Sequence, residues 1–134
     1  MARVPDEFRR RDILGLIGTG AVVANLPRRA LAQAPAAAAL KIGFIGAGRE
    51  GGPLGTLFAK AGHPVMFSSR HPETLADLVK SAGPNAKAGT VEEAVAFGDA
   101  IFLVVPYAAV EQIGKEYAGA IAKKPLLVDV SNPI

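Results

Sequence analysis

Three glycines in the spacing G-x-G-x-x-G, at positions 46, 48 and 51, constrain the fold of this chain more than any other feature of its sequence. They follow an apolar segment, residues 40–45, that has the pattern of a buried β-strand. They precede residues 52–61, where apolar side chains recur at helical spacing. A strand, a glycine-rich turn and a helix in this order predict the first unit of a dinucleotide-binding fold. The alternative for the same pattern is a tight turn that binds nothing.

Strands and helices alternate along the rest of the chain. Apolar and β-branched runs predict four further strands, at residues 65–68, 86–88, 100–105 and 126–130. Amphipathic stretches predict helices between them, at residues 73–81, 90–97 and 107–122. The helix over 52–61 is expected to bury Leu54, Leu57, Phe58 and Ala61. This alternation indicates an α/β fold with a doubly wound parallel sheet of about five strands.

The residues after the second predicted strand decide which nucleotide fits. Sites for NAD commonly carry an Asp or Glu about 20 residues after the glycines, where its carboxylate accepts hydrogen bonds from the ribose hydroxyls. This chain has Ser68, Ser69 and Arg70 there instead. An arginine forms a charge-assisted pair with a 2′-phosphate and serine hydroxyls donate to it, whereas a carboxylate repels it. The sequence therefore favours NADP(H) over NAD(H), with a solvated loop arginine as the alternative for Arg70.

Two further segments are predicted to reach the same edge of the sheet, because the carboxyl ends of parallel strands meet there. Val105 and Pro106 follow the fourth strand. Ser131 and Asn132 follow the fifth, where they are either contacts of a carboxamide or members of a turn. The full set of predicted cofactor contacts is Gly46, Gly48, Arg49, Glu50, Gly51, Ser68, Ser69, Arg70, Val105, Pro106, Ser131 and Asn132. Asp129 is interpreted as a structural residue of the strand end, and no catalytic residue is assigned.

Composition and charge exclude several other classes of site. The chain has no cysteine, so it offers no disulfide and no thiolate nucleophile, and its two histidines alone build no zinc site. The net charge of +3 is carried entirely by residues 1–32, which hold six arginines and three acidic residues. Residues 33–134 balance nine basic residues against nine acidic ones. A neutral domain with few aromatic residues is a poor candidate for binding nucleic acid.

Residues 1–32 are predicted to be a twin-arginine-like signal peptide. Arginines at positions 9–11 precede a short apolar run, residues 13–26, and the small-residue segment Ala30–Ala32 resembles a peptidase cleavage site. An apolar run of this length is too short for a stable membrane span. Residues 33–40 are then a linker, and the protein is predicted to be exported to the periplasm. If the start of the chain is misassigned, the alternative is a cytoplasmic protein.

Several of these segments together resemble the NADP-binding domain of the coenzyme F420-dependent NADP oxidoreductase family, and are similar to the N-terminal domains of pyrroline-5-carboxylate reductases. The segments that carry the resemblance are KIGFIGAG (41–48), AGHPV (61–65), SSR (68–70), VVP (104–106) and DVSNP (129–133). The resemblance covers residues 41–134 and implies a Rossmann fold that binds NADPH, with a deazaflavin as the second redox partner. It also implies that the three glycines hold the diphosphate, that Ser69 and Arg70 hold the 2′-phosphate, and that Pro106 lies beside the nicotinamide.

Two features of this chain differ from the pattern of that family. Pro53 lies in the opening turns of the first helix, where it removes a backbone donor and is expected to shift or shorten the helix. Members of the family continue beyond the fifth strand, so the resemblance predicts a chain without the part that completes the second substrate's site. The predicted function is hydride transfer between NADPH and a deazaflavin or other small redox partner. The alternative is a non-catalytic nucleotide-binding remnant, or a module that needs another subunit, in a homodimer or otherwise.

Overall fold

A computed structural model of the chain describes residues 38–131. At its centre is a parallel sheet in the order β3-β2-β1-β4-β5. The strands are β1 (Ile42–Ile45), β2 (Val65–Ser68), β3 (Ala86–Gly89), β4 (Ala100–Leu103) and β5 (Leu126–Asp129). The predicted signal peptide, most of the predicted linker, and Asn132 lie outside the described residues.

Four α-helices connect these strands within the described part of the chain, namely α1 (Gly51–Lys60), α2 (Ala76–Ala82), α3 (Val91–Phe97) and α4 (Tyr107–Ile121). A 3₁₀ turn, Pro72–Leu75, precedes α2. The parallel register places Phe44 of β1 between Phe67 of β2 and Phe102 of β4. The predicted α/β fold with a doubly wound parallel sheet of five strands is confirmed.

Two of the element boundaries that differ from the sequence prediction have a local cause, and β4 also ends at Leu103 rather than at residue 105. β1 begins at Ile42 rather than at residue 40, because the N–H of Leu40 donates to Nδ1 of His63 (3.0 Å) instead of joining the sheet. The second predicted helix starts as a 3₁₀ turn, because the N–H and the hydroxyl of Thr74 both donate to the carbonyl of His71, three residues back. The sheet and the order of its strands are unaffected by either difference.

The sheet separates two hydrophobic cores. On one face, Ile42, Phe44 and Phe67 pack under α1 and α2. On the other face, Ile45 and Ile101 pack under α3 and α4. This arrangement is the one expected from the strand order, since the chain crosses the sheet in one direction from β1 to β3 and then returns to β4 and β5, and crossovers between parallel strands are almost always right-handed. All five of these side chains are at most 1% exposed, so the middle of the sheet is the most solvent-protected part of the fold.

The buried face of α1 differs from the predicted one. Leu57 is 66% exposed and Ala61 lies beyond the end of the helix, so the expectation that both are buried is wrong. The buried residues of the helix are small: Gly51, Gly52, Gly55 and Ala59. A Cβ atom at Gly55 would overlap the ring of Phe67. The helix therefore lies closer to the sheet than a face of leucines would permit, and Leu57 is left on the solvent side.

Candidate functional site

A cleft of about 510 Å³ opens at the carboxyl ends of β1, β2 and β4. The strand order reverses at this point, because β2 and β4 flank β1 on opposite sides, and ligands of open α/β sheets bind at such points. The predicted contacts that line the cleft are Gly46, Gly48, Ser68, Ser69, Arg70, Val105 and Pro106. The predicted contacts that do not line it are Arg49, Glu50, Gly51 and Ser131.

The three glycines of the loop after β1 have different surroundings. Gly46 has a φ of +100°, which favours glycine, and a Cβ atom there would overlap the carbonyl oxygen of Val104. A Cβ atom at Gly51 would overlap the carbonyl oxygen of Gly46, so the missing side chain lets α1 begin directly against the loop. A Cβ atom at Gly48 would meet no protein atom within 4 Å. Gly48 therefore borders open cleft space, and a phosphate group can approach its backbone closely.

The start of α1 leaves peptide N–H groups free. The N–H of Gly52 donates to the carbonyl of Gly48 (3.0 Å), but those of Arg49, Glu50 and Gly51 have no acceptor among the described residues. Such groups carry the positive end of the helix dipole, which attracts anions. The side chains of Arg49 and Glu50 are exposed and do not line the cleft, so these two residues can serve a ligand through their backbone.

Pro53 does not disturb this helix. It is the third residue of α1, in the first turn, where a missing N–H costs no hydrogen bond within the helix. The helix has ten residues, as many as the sequence predicted, and begins one residue earlier. The expected shortening is absent, and the start of α1 is intact as a border of the cleft.

Ser68 is engaged within the sheet. Its side chain is 0% exposed, and its hydroxyl donates to the carbonyl oxygen of Phe44 on β1 (2.6 Å). The hydroxyl proton is therefore not available to a ligand. This corrects the expectation that both serine hydroxyls of the segment donate to a phosphate, because the bond to Phe44 satisfies a polar group that is buried at the end of β2.

Ser69 and Arg70 offer free polar groups to the cleft. The hydroxyl oxygen of Ser69 accepts a hydrogen bond from the N–H of His71 (3.1 Å), so its own proton remains available. Glu73 lies 3.3 Å from Nδ1 of His71, and Arg70 has no ion-pair partner within residues 38–131. Arg70 is exposed and lines the cleft. An arginine without a carboxylate partner is suited to bind a phosphate group.

The ends of β4 and β5 differ in how they relate to the cleft. Val105 and Pro106, after β4, line it, and Pro106 precedes the first residue of α4. Ser131, after β5, does not; its N–H donates to Oδ1 of Asp129 (2.8 Å) in a turn. Hydrogen bonds from the side chain and then the backbone of Ser131 lower the pKa of the Asp129 carboxyl below its ordinary value. These contacts agree with the interpretation of Asp129 as a structural residue of the strand end.

One face of α4 forms a further wall of the cleft that was not predicted from the sequence. Its lining residues are Ala109, Gln112, Ile113, Glu116 and Tyr117, which we call the α4 face. Their spacing, i, i+3, i+4, i+7 and i+8, places them on one side of the helix, and Ala109, Ile113 and Tyr117 are spaced as residues that pack against a core. Leu75 and Val91, from other segments, also line the cleft. The sequence thus predicted the helix and its apolar spacing, but it did not show that this side of the helix faces a cleft.

Residues 38–131 contain neither a metal-binding cluster nor a helix able to span a membrane. No group of three or more His, Asp and Glu side chains within residues 38–131 is arranged to hold a metal ion. Over the same residues, no helix combines the length and the apolar character that crossing a membrane requires.

A known protein family matches the part of the chain that forms this site. The family model described as "NADP oxidoreductase coenzyme F420-dependent" matches residues 41–133, which is most of the chain and includes every strand of the sheet. No curated protein matches the sequence. The family match covers the glycine loop, the segment after β2 and the α4 face.

Proposed function

The chain belongs to the family of coenzyme F420-dependent NADP oxidoreductases, and we propose that its described domain binds NADP(H) in the cleft for hydride transfer. The second redox partner is a deazaflavin or another small molecule. Further groups that bind the second substrate come from another part of the protein or from another subunit, including a second copy of the chain.

The observation that carries this proposal is that the cleft has two separate places suited to an anion. One is the open space at Gly48, beside the free N–H groups at the start of α1. The other is the loop after β2, where Arg70 has no carboxylate partner within the described residues and Ser69 retains a free hydroxyl proton. A ligand with a pyrophosphate and a second phosphate group matches both places, and NADP(H) is such a ligand.

The residues in and beside the cleft then have separate roles. The N–H groups of Arg49, Glu50 and Gly51 bind the pyrophosphate, Ser69 and Arg70 bind the 2′-phosphate, and Val105 and Pro106 border the nicotinamide. A bound nicotinamide supplies the hydride-transfer chemistry, and the protein supplies binding and orientation. No side chain of the chain is assigned as a catalytic acid or base.

The proposal extends to residues outside the described range. Residues 1–32 direct export to the periplasm by a twin-arginine-like route, and this route suits a domain that folds around its nucleotide before export. N-terminal sequencing of the protein isolated from its source tests this point. A start at Gln33 supports processing, whereas an intact start at Met1 or Ala2 supports the cytoplasmic alternative.

Titration of the full chain with NADPH and with NADH, followed by nicotinamide fluorescence, tests the assigned cofactor. We expect NADPH to bind roughly tenfold or more tightly than NADH, because a charge-assisted hydrogen bond is worth about 1.5–3 kcal/mol. Arg70→Glu should weaken NADPH far more than NADH, since it replaces an attractive charge by a repulsive one. Gly48→Val should weaken both nucleotides, because the branched side chain fills the space that the pyrophosphate needs.

Lys60→Glu is the matched control, since it makes the same reversal of charge at the far end of α1, outside the cleft lining. It should leave both affinities unchanged. Equal losses of NADPH and NADH binding in Arg70→Glu would contradict the 2′-phosphate site. A folded chain that binds neither nucleotide would overturn the proposal and favour the non-catalytic remnant.

A further inference from the structure

At the α4 face, an apolar surface lies next to a pair of polar side chains. Leu75, Val91 and Ile113 are half-buried and line the cleft, and they come from three different segments. Gln112 and Glu116 line the same cleft but are exposed. An apolar surface with a few polar groups beside it is the ordinary environment of a bound heteroaromatic ring.

The position of this surface places it beside the adenosine half of a dinucleotide. Arg70 and Leu75 follow β2, and Val91 follows β3, on the side of β1 away from β4. In this type of fold, the group that contacts the adenosine ribose lies at the end of β2. No described residue of β5, or after it, lines the cleft. The α4 face, which follows β4, lines the same cleft opposite these residues. The described cleft thus includes the region of the adenosine and the pyrophosphate, and Val105 and Pro106 form its border toward the nicotinamide.

Gln112 and Glu116 form a defined hydrogen-bonding pair. The side-chain amide Nε2 of Gln112 donates to Oε1 of Glu116 (3.0 Å), one helical turn later. This bond leaves one amide proton and the amide oxygen of Gln112 free, together with the second oxygen of Glu116. The exocyclic amine of adenine has two protons, and the free amide oxygen of Gln112 is placed to accept one of them. A carboxylate accepts a hydrogen bond from the same amine.

The charge of Glu116 supports the same assignment. A carboxylate next to a pyrophosphate or a 2′-phosphate is repelled, so Glu116 suits neither phosphate position. The base is the uncharged part of this half of the ligand, and its amine is a donor. A carboxylate in a cleft that otherwise offers N–H groups and Arg70 is therefore best matched to the base.

We propose that Gln112 and Glu116 recognise the exocyclic amine of adenine, and that Leu75, Val91 and Ile113 form the apolar surface for the ring. The inference rests on the proposed function, because it requires NADP(H) in the cleft. It makes the α4 face a specificity-determining surface. Neither the glycine loop nor Arg70 distinguishes one base from another, since both act on phosphate groups.

The test compares NADPH with its hypoxanthine analogue, in which a keto oxygen replaces the exocyclic amine of the base. The full chain is titrated with both, followed by nicotinamide fluorescence. We expect wild type to bind NADPH roughly tenfold or more tightly, because the keto oxygen replaces a donor with an acceptor that faces Glu116. Glu116→Gln should bring the two affinities within about threefold of each other, since an amide can donate to the keto oxygen.

Glu111→Gln is the matched control, because Glu111 lies on the same helix, pairs with Lys115 and does not line the cleft. It should retain the wild-type preference for NADPH. A wild-type protein that binds both nucleotides equally, or a Glu116→Gln variant that retains the full preference, would overturn the inference and leave NADP(H) binding intact. A wild-type protein that binds neither nucleotide would overturn the proposed function, and the inference with it.

Discussion

At the scale of single residues, Ser68 and Ser69 show how neighbouring positions of the same type acquire different roles. Side chains alternate between opposite sides of an extended chain, so two successive serines at a strand end have different surroundings. Ser68 is buried against the carbonyl of Phe44, whereas Ser69 is half-buried and its hydroxyl proton is free. The sequence predicted a polar segment at this point, but not which hydroxyl was available.

These surroundings predict opposite effects of the two serine substitutions on stability and on NADPH binding. Ser68→Ala should lower the free energy of unfolding by about 1–3 kcal/mol, because a buried hydrogen bond is lost, and should leave the NADPH affinity of the folded protein almost unchanged. Ser69→Ala should weaken NADPH binding by roughly threefold to tenfold, because one hydrogen bond to the phosphate is lost, with little effect on stability. Urea denaturation and nicotinamide fluorescence measure the two quantities. A stable Ser68→Ala variant that no longer binds NADPH would contradict this division.

At the scale of elements, α3 and α1 differ in how far the sequence predicted them. The sequence from Thr90 to Glu93 has the capping-box pattern, and the structure contains the capping box. The hydroxyl of Thr90 accepts from the N–H of Glu93 (3.2 Å), and the carboxylate of Glu93 accepts from the N–H of Thr90 (2.8 Å). The motif is local, so a short stretch of sequence contains all of it. The buried face of α1 depends instead on the aromatic rings across the interface, which come from other segments.

The close packing of α1 predicts a large effect from a single methyl group. Gly55→Ala should lower the free energy of unfolding by about 1–3 kcal/mol, because its Cβ atom would overlap the ring of Phe67 and force the helix away from the sheet. Alanine is otherwise the better helix former, so helix propensity alone predicts the opposite sign. Urea denaturation distinguishes the two expectations.

Gly119→Ala is the control for helix propensity. Gly119 lies in α4 and is exposed, and a Cβ atom at this position would meet no other atom within 4 Å. This variant should raise the free energy of unfolding by about 0.5–1 kcal/mol. If Gly55→Ala stabilises the protein as much as Gly119→Ala does, the close contact between α1 and the sheet is wrong.

At the scale of the whole molecule, burial falls from the centre of the sheet toward β5. Every residue of β1 and β2 is buried, whereas Leu126 and Leu127 of β5 are 47% and 48% exposed, and α4 has no fully buried residue. Leu126 and Leu127 point to opposite faces of the sheet, so both faces are open at this edge. The cleft spans this gradient, since it is lined by the ends of β1 and β2 and by the α4 face.

This gradient predicts unequal protection of backbone amides against hydrogen exchange. We expect amides of β5 to exchange at least roughly tenfold faster than those of β1, because local opening of β5 exposes little apolar surface while opening of β1 requires global unfolding. Saturation with NADPH should slow exchange at the start of α1 and leave β5 unaffected. Mass-spectrometric exchange on the full chain measures both. Amides of β5 as protected as those of β1 would contradict the gradient.

Sequence patterns were sufficient to predict the order and type of the elements, the glycine loop and the presence of Arg70 instead of a carboxylate after β2. These features depend on local spacing and on residue type: alternation of apolar runs, positions that require glycine, and the charge at one strand end. A family resemblance carried by the same segments led to the same fold. Prediction therefore succeeded where a property is contained in a few consecutive residues.

Which side chains meet in the cleft depends on the packing of the whole fold and was not predictable from the sequence. In the structure, the hydroxyl proton of Ser68 is engaged by the carbonyl of Phe44, and Ser131 lies in a turn with Asp129. Gln112 and Glu116 line the cleft. Each outcome depends on segments that are distant in sequence and brought together by the parallel sheet. A helical face has the same sequence periodicity whether it packs on a core or lines a cleft. Periodicity shows which side of the helix a side chain occupies, but not which part of the protein lies opposite that side.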